Sequence, residues 1–287
     1  MQGLLARLEA GEILVSDGAT GTYLQEKGLF IGEAPETWNF SHPDVVRDMA
    51  ADYAAAGADV VETNSFGGNR FRLQAIGMAD RVREVNRVAA KLAREGVGQD
   101  RFVMGSMGPT GETVTEDRTQ QDTIYAAFVA QAQALAEGGV DGFCVETMMT
   151  VVEAKQAIRA AKTTGLPVMA SMTFDSETLM TPLGVTVEQA VVGLVDAGAD
   201  VVGANCGTGI VGMVGVVRAM GRVGQVLLLA QANAGLPEMD GDRARYLEPP
   251  EMVAGCVSEL VAAGVQVIGG CCGTGPAHIR AIRKSLK

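Results

Sequence analysis

The chain has 287 residues with 34 acidic against 23 basic side chains, a formal charge of −11. That balance, with no Lys/Arg cluster to neutralise phosphates, excludes a nucleic-acid partner. The apolar residues form short runs such as 226–230, far below the roughly 18 in a row that span a bilayer, so a membrane protein is excluded too.

Arg7 and Glu9 interrupt what would have to be the apolar stretch of a signal peptide, so a cytoplasmic protein is expected. A first strand over 13–17 runs into Asp17, Gly18, Ala19, Thr20 and Gly21. Such a turn of small residues can offer backbone N–H groups to a carboxylate while Asp17 accepts from an ammonium, although a plain turn or N-cap role stays open. Further strands are predicted at 58–64, 102–106, 140–147, 167–174, 199–206, 226–233 and 265–272. Helical patterns at 43–57, 122–139 and 249–264 begin with Pro or Asp and end with Gly. The segment 104–113, which includes Ser106, would rim a site or serve as a Gly-Pro turn, and the Pro-, Gly- and acid-rich stretch 235–250 reads as a long rim loop. His42 and His278 have no partner at metal-ligand spacing and are read as solvated or capping residues.

Eight apolar strands alternating with helices predict an α/β protein, a (β/α)8 barrel occupying residues 1–287 as one domain. No Gly-x-Gly-x-x-Gly turn follows the first strand to favour an open doubly wound sheet. Four helix-to-strand joints look like copies of one another, at 56–64, 138–147, 197–208 and 263–274. Counted from Gly57, Gly139, Gly198 and Gly264, the seventh position on is Asn64, Glu146, Asn205 and Cys271, and the eighth brings Cys206 and Cys272. Alternate barrel strands share a layer, so a site is expected at the carboxyl ends facing Asn64, Glu146, Cys206, Cys271 and Cys272.

Five cysteines in a cytoplasmic chain point away from disulfides. Cys271 and Cys272 would face opposite sides of a regular strand and can share an ion only if the backbone twists, which Gly269, Gly270 and Gly273 permit. With Cys206 they make three thiolates, the soft donor set of a zinc site with one open position; core packing and a redox dithiol remain the other readings. Cys144 and Cys256 sit among apolar neighbours and are read as core.

Together the stretches DGATGTYLQEKG (17–28), AGADVVETNSFGGNR (56–70), GSMGPTG (105–111), GANCGTG (203–209) and GGCCGTGPAHI (269–279) resemble the zinc-dependent homocysteine S-methyltransferases, over essentially the whole chain. The resemblance implies a barrel holding Zn2+ through Cys206, Cys271 and Cys272. It also implies L-homocysteine bound by its amino group at Asp17 and Glu146 and by its carboxylate at backbone amides around Gly18 and Thr20. Asn233 is implied as a fourth zinc ligand without substrate, although Ala232 stands where the family often has Pro. The segments at 34–46 and 62–73 are more similar to the homocysteine module of cobalamin-dependent methionine synthase than to stand-alone enzymes. Since the chain ends after the barrel, the expected donor is methylcobalamin on a separate corrinoid protein. The alternatives are S-methylmethionine or betaine, another thiol or corrinoid acceptor, or a zinc that is structural or redox-active. Trp38 and Phe66 are candidates for part of an aromatic cage around a cationic donor, with core packing as the default.

Overall fold

The computed structural model describes residues 3–115, 117–240 and 243–286. Eight parallel strands form one sheet: β1 (Leu14–Val15), β2 (Val60–Glu62), β3 (Phe102–Met107), β4 (Gly142–Met148), β5 (Val168–Met172), β6 (Val201–Asn205), β7 (Leu228–Ala232) and β8 (Val265–Gly270). Each pairs with its neighbour in sequence, and β8 lies between β7 and β1. The ring closes between β1 and β2 through the parallel bridge of Ser16 with Val60 and the Asp59 N–H donated to the Val15 carbonyl at 2.7 Å. Arg7 and Arg283 both reach the Asp59 carboxylate, so the first and last helices clamp this seam.

Every predicted strand is present, shorter than expected at one or both ends in most cases. Cys206, Cys271 and Cys272 fall just beyond β6 and β8 rather than inside them. Among the helices, 43–57 appears as Pro43–Ala56 and 122–139 as Arg118–Gly138, whereas 249–264 is split at Cys256 into Pro250–Gly255 and Val257–Ala262. There the Cys256 N–H turns back to Val253, three residues away, and tightens the helix into two. The four joint glycines share one function: Gly57, Gly139, Gly198 and Gly264 have φ between 92° and 111°, the left-handed geometry that stops a helix before the next strand. Within the predicted rim loop, Glu238–Asp240 pairs antiparallel with Arg243–Arg245.

Alternation along the strands divides the molecule into two packed regions. Outward residues such as Val15, Val61, Val103, Phe143, Val145, Ala170, Val202, Ala230 and Ile268 join the helices in one large apolar shell. Inward residues Leu14, Val60, Phe102, Met104, Cys144, Met169, Val201, Leu229 and Val267 form a second cluster inside the lower barrel. Leu4 and Leu8 of the first helix seal that cluster from below. Among the described residues no helix is long and apolar enough to cross a membrane.

Candidate active site

Two residues further along each strand the inward positions become polar. Above Leu14 stands Ser16, above Val60 Glu62, above Met104 Ser106, above Cys144 Glu146, above Met169 Ser171 and above Leu229 Gln231. All six are buried, and Glu62, Ser106, Glu146 and Gln231 among them line a cavity of about 490 Å³ at the carboxyl ends of the strands, the face where barrel sites form. Its lining includes Gly18, Ala19, Thr20, Asn64, Ser106, Glu146, Cys206, Cys271 and Cys272, so the structure brings most of the expected residues to one place.

The three thiols meet with every pair of Sγ atoms within 4.8 Å. Cys206 leaves β6 with φ +59°, a left-handed conformation costing about 1 kcal/mol for a side chain with a Cβ. Its N–H donates to Gln231 and its carbonyl accepts from Thr208, which hold the turn. After β8, Cys271 donates its N–H to Ala232, and its carbonyl accepts from the Thr274 N–H and hydroxyl. Gly273 then turns with φ +81°. A Cβ at Gly273 would overlap the ring of Tyr246, which comes off the hairpin stretch to cover this turn. The strand therefore ends in a bend, and this turn, rather than a twisted strand, brings the neighbouring thiols together with that of Cys206.

Hydrogen bonds from Cys271 and Cys272 push the Cys206 thiol down to about 3, while contact with Cys206 raises Cys271 and lifts Cys272 to about 11. The trio gives up one proton easily and resists losing more, because the sulfurs are crowded against one another. A soft divalent ion fits such a donor set. Asn233 supplies a second indication: it is buried, hydrogen-bonds toward Cys206, and its Oδ1 has no partner.

Glu146 is 9% exposed and accepts from the Ser106 hydroxyl at 2.5 Å and the Asn205 amide at 3.3 Å. Burial first, then the neighbouring Glu62, hold its carboxyl well above the usual range. Asn205 links it to the sulfurs, with its amide 3.9 Å from Cys271 Sγ. Asp17 sits differently: it is buried and does not line the cavity, and its oxygens accept from the Glu62 N–H at 2.8 Å and the Ser16 hydroxyl at 3.2 Å. Asn64 lines the wall, but its amide group is spent on Pro35 and Asn39. In the turn after β1 the Ala19 N–H is taken by Thr274, while Gly18 fits because a Cβ there would meet the Thr274 carbonyl.

Sequence reasoning passed over Glu62, Gln231 and Tyr246, and counted Asn205 without placing it in the site. The signal was present: Glu62 stands two residues before Asn64, on the same face of a strand. Phe66 lines the cavity, whereas Trp38 is buried outside it, stacked on His42 with ring centroids 4.1 Å apart. Cys144 is fully buried in the lower cluster and Cys256 packs half-buried against the outer shell. His278 accepts the Gly275 N–H at Nδ1 and meets the Glu248 carbonyl at Nε2, a capping role.

A family profile described as Homocysteine S-methyltransferase matches residues 14–286. A methionine synthase from Mycobacterium tuberculosis is 33% identical over 96% of the chain, and one from Mycobacterium leprae 32% identical over 96%. In each case the match spans 24% of the relative's length. Among solved structures, the homocysteine methyltransferase MmuM from Escherichia coli in its metallated form superposes with a TM-score of 0.81 at 22% identity, covering 97% of this chain and 98% of that one. This structural likeness bears on the fold.

Proposed function

The chain belongs to the homocysteine S-methyltransferase family, and from that premise we propose that it methylates the thiol of L-homocysteine to give methionine. The observation that carries the reading is the placing of three thiols within 4.8 Å of one another on the wall of a cavity that also exposes a buried carboxyl, Glu146. Cys206, Cys271 and Cys272 would hold Zn2+, with Asn233 Oδ1 available when no substrate is bound. Bound there, zinc supplies the Lewis acidity that lets a substrate thiol shed its proton near neutral pH.

The residues of the chain do the orienting. Glu146, kept in place by Ser106 and Asn205, accepts from the substrate ammonium, and the buried Asp17 carboxyl stands behind it, bonded to the Glu62 N–H. The turn at Gly18, Ala19 and Thr20 faces the carboxylate, and Asn64 closes the wall beside it. Fixed at both ends, the substrate presents its sulfur to the donor's methyl carbon. The new S–CH3 bond forms as the bond to the leaving group breaks, and holding this alignment is the protein's contribution. No side chain of the protein is required as nucleophile or general base.

The donor we favour is methylcobalamin on a separate corrinoid protein in the cytoplasm, supported by 33% identity to methionine synthase against 22% to MmuM. The same reaction from a small sulfonium or ammonium donor is the alternative. A purely structural or redox zinc module is disfavoured by three thiols rather than four beside an open cavity. The test is methionine formation by zinc-quantified protein with free methylcobalamin, S-methylmethionine and betaine in parallel. Turnover with methylcobalamin alone is expected. Turnover with a small donor replaces the corrinoid reading, and no turnover with any donor overturns the activity.

A further inference from the structure

The two turns that carry the three thiols leave strands that do not pair. Cys206 follows β6, Cys271 and Cys272 follow β8, and β7 lies between. At the usual spacing of about 4.8 Å between neighbours, β6 and β8 stand about 10 Å apart. The sulfurs nevertheless lie within 4.8 Å of one another. The backbone at the end of β7 joins the two turns: the Gln231 and Ala232 carbonyls accept the N–H groups of Cys206 and Cys271, and the N–H groups of Asn233 and Ala234 donate to the carbonyls of Thr208 and Cys272.

Glu248 closes this junction where the hairpin stretch returns. Its N–H donates to the Ala234 carbonyl at 2.9 Å. Its carboxylate accepts at 2.8 Å from the N–H of Ile210, the first residue of the helix Ile210–Met220 that follows the Cys206 turn. Its carbonyl accepts at 3.0 Å from Nε2 of His278, in the helix Pro276–Ser285 that follows the Cys272 turn. His278 Nδ1 already accepts the Gly275 N–H, which leaves the ring proton on Nε2. Gly209, at the start of the first helix, has no side chain to cap it, and a Cβ there would overlap the Glu248 carboxylate. The glycine thus admits an acidic cap from 38 residues along the chain, at the helix end where negative charge is favourable.

Resting on the zinc reading of the thiol cluster, we propose that Glu248 is a positioning residue for the metal site: its clasp on both following helices holds the Cys206 turn against the turn of Cys271 and Cys272, and so sets how tightly the three thiols keep zinc. The left-handed backbone of Cys206, φ +59°, persists only where its surroundings over-determine it, and the capped helix four residues on is one such restraint. Glu248 does not line the cavity, so it acts through the turns and not on the substrate.

Zinc release from the loaded protein to an excess of a chromogenic chelator tests this, with the thiolate-to-metal absorption of the cobalt(II)-loaded protein as a second readout. Glu248→Ala removes the cap, and Gly209→Ala keeps Glu248 but pushes its carboxylate off the Ile210 N–H. Both are expected to release zinc about tenfold faster than the unmodified protein and to weaken the cobalt absorption. Glu248→Gln, which keeps an acceptor for Ile210, should stay near the unmodified rate. Met104→Ala, in the sealed lower layer, controls for lost stability alone: it should melt lower and release zinc at the unmodified rate. Unchanged release from both Glu248→Ala and Gly209→Ala, or release that simply follows melting temperature across the four variants, overturns the positioning role and leaves the zinc reading standing. Failure of the unmodified protein to retain zinc overturns that reading, and the positioning role with it.

Discussion

On β3, Met104 points into a sealed apolar layer, while Ser106, two residues on, donates to Glu146 at the cavity floor. The same step separates Val60 from Glu62 and Leu229 from Gln231. Below the step the side chains are packed against one another and against Leu4 and Leu8; above it they are buried but polar, and bonded in a network that opens on the cavity. A period of two thus puts folding and chemistry on the same strands while keeping them in separate layers. Changes in the lower layer should act on stability, and changes in the upper layer on ligand or metal.

The strongest attempt to break this separation is a pair of cysteine substitutions. Cys271→Ala should reduce retained zinc and methyl transfer to background, because two sulfurs do not hold the ion against dilution. Cys144→Ala, in the lower layer, should leave zinc content unchanged and cost about 1 kcal/mol of stability. Metal analysis after gel filtration and a denaturant melt decide between them, and equal zinc loss from both would end the layered picture. Met104→Ala is next: removal of its side chain from the sealed layer should cost about 2–5 kcal/mol in chemical denaturation, with little change in KM for homocysteine.

Glu146→Gln sharpens the comparison because it acts in two directions. Losing a charged acceptor for the ammonium should raise KM for homocysteine about tenfold to a hundredfold, equivalent to about 1.5–3 kcal/mol. Yet the folded protein holds the Glu146 carboxyl above its ordinary 4.5, so the folded state keeps this proton longer than the unfolded chain does. Stability from that group is fully present below 4.5 and is lost as pH rises through the raised value. The zinc-free variant should therefore melt higher than the zinc-free parent, by more at pH 8 than at pH 5. A melting difference independent of pH would show that burial does not work against this carboxylate. The smallest effect is expected from Tyr246→Phe, which removes a hydroxyl that meets Cys272: zinc affinity in a chelator competition should fall about tenfold, with the barrel's melting unchanged.

The repeating joints made the barrel readable because each carries its own punctuation, a helix stopped by a left-handed glycine followed by a short apolar strand. The same repeat placed Glu146 and Cys271 at equivalent positions, and the adjacent cysteines pointed to a metal. Glu62 was obscured because Val60, Val61 and Glu62 read as part of a strand covered on both sides, and pairing of residues far apart in sequence decides which of them faces inward. Asp17 looked like a direct ligand because a carboxylate at a strand end usually faces the opening. Its oxygens are instead engaged by Glu62 and Ser16, which no local pattern announces. Tyr246 reaches the site from a segment whose own sequence signals only a loop, and its place depends on the missing side chain at Gly273.

The position of β8 between β7 and β1 also sets an order of assembly. Cys206 follows β6, but Cys271 and Cys272 take their places only once Gly269 and Gly270 have paired with Gln231 and Ala232 on one side and Val267 and Ile268 have found Leu14 and Val15 on the other. Those partners at the seam are about 250 residues apart, among the slowest contacts for a chain to make. During synthesis the proposed metal site is thus among the last parts of the barrel to form, and until the final strand has docked the three thiols are not brought together. Zinc uptake would then mark the moment at which the ring has closed, making metal content a census of correctly finished molecules.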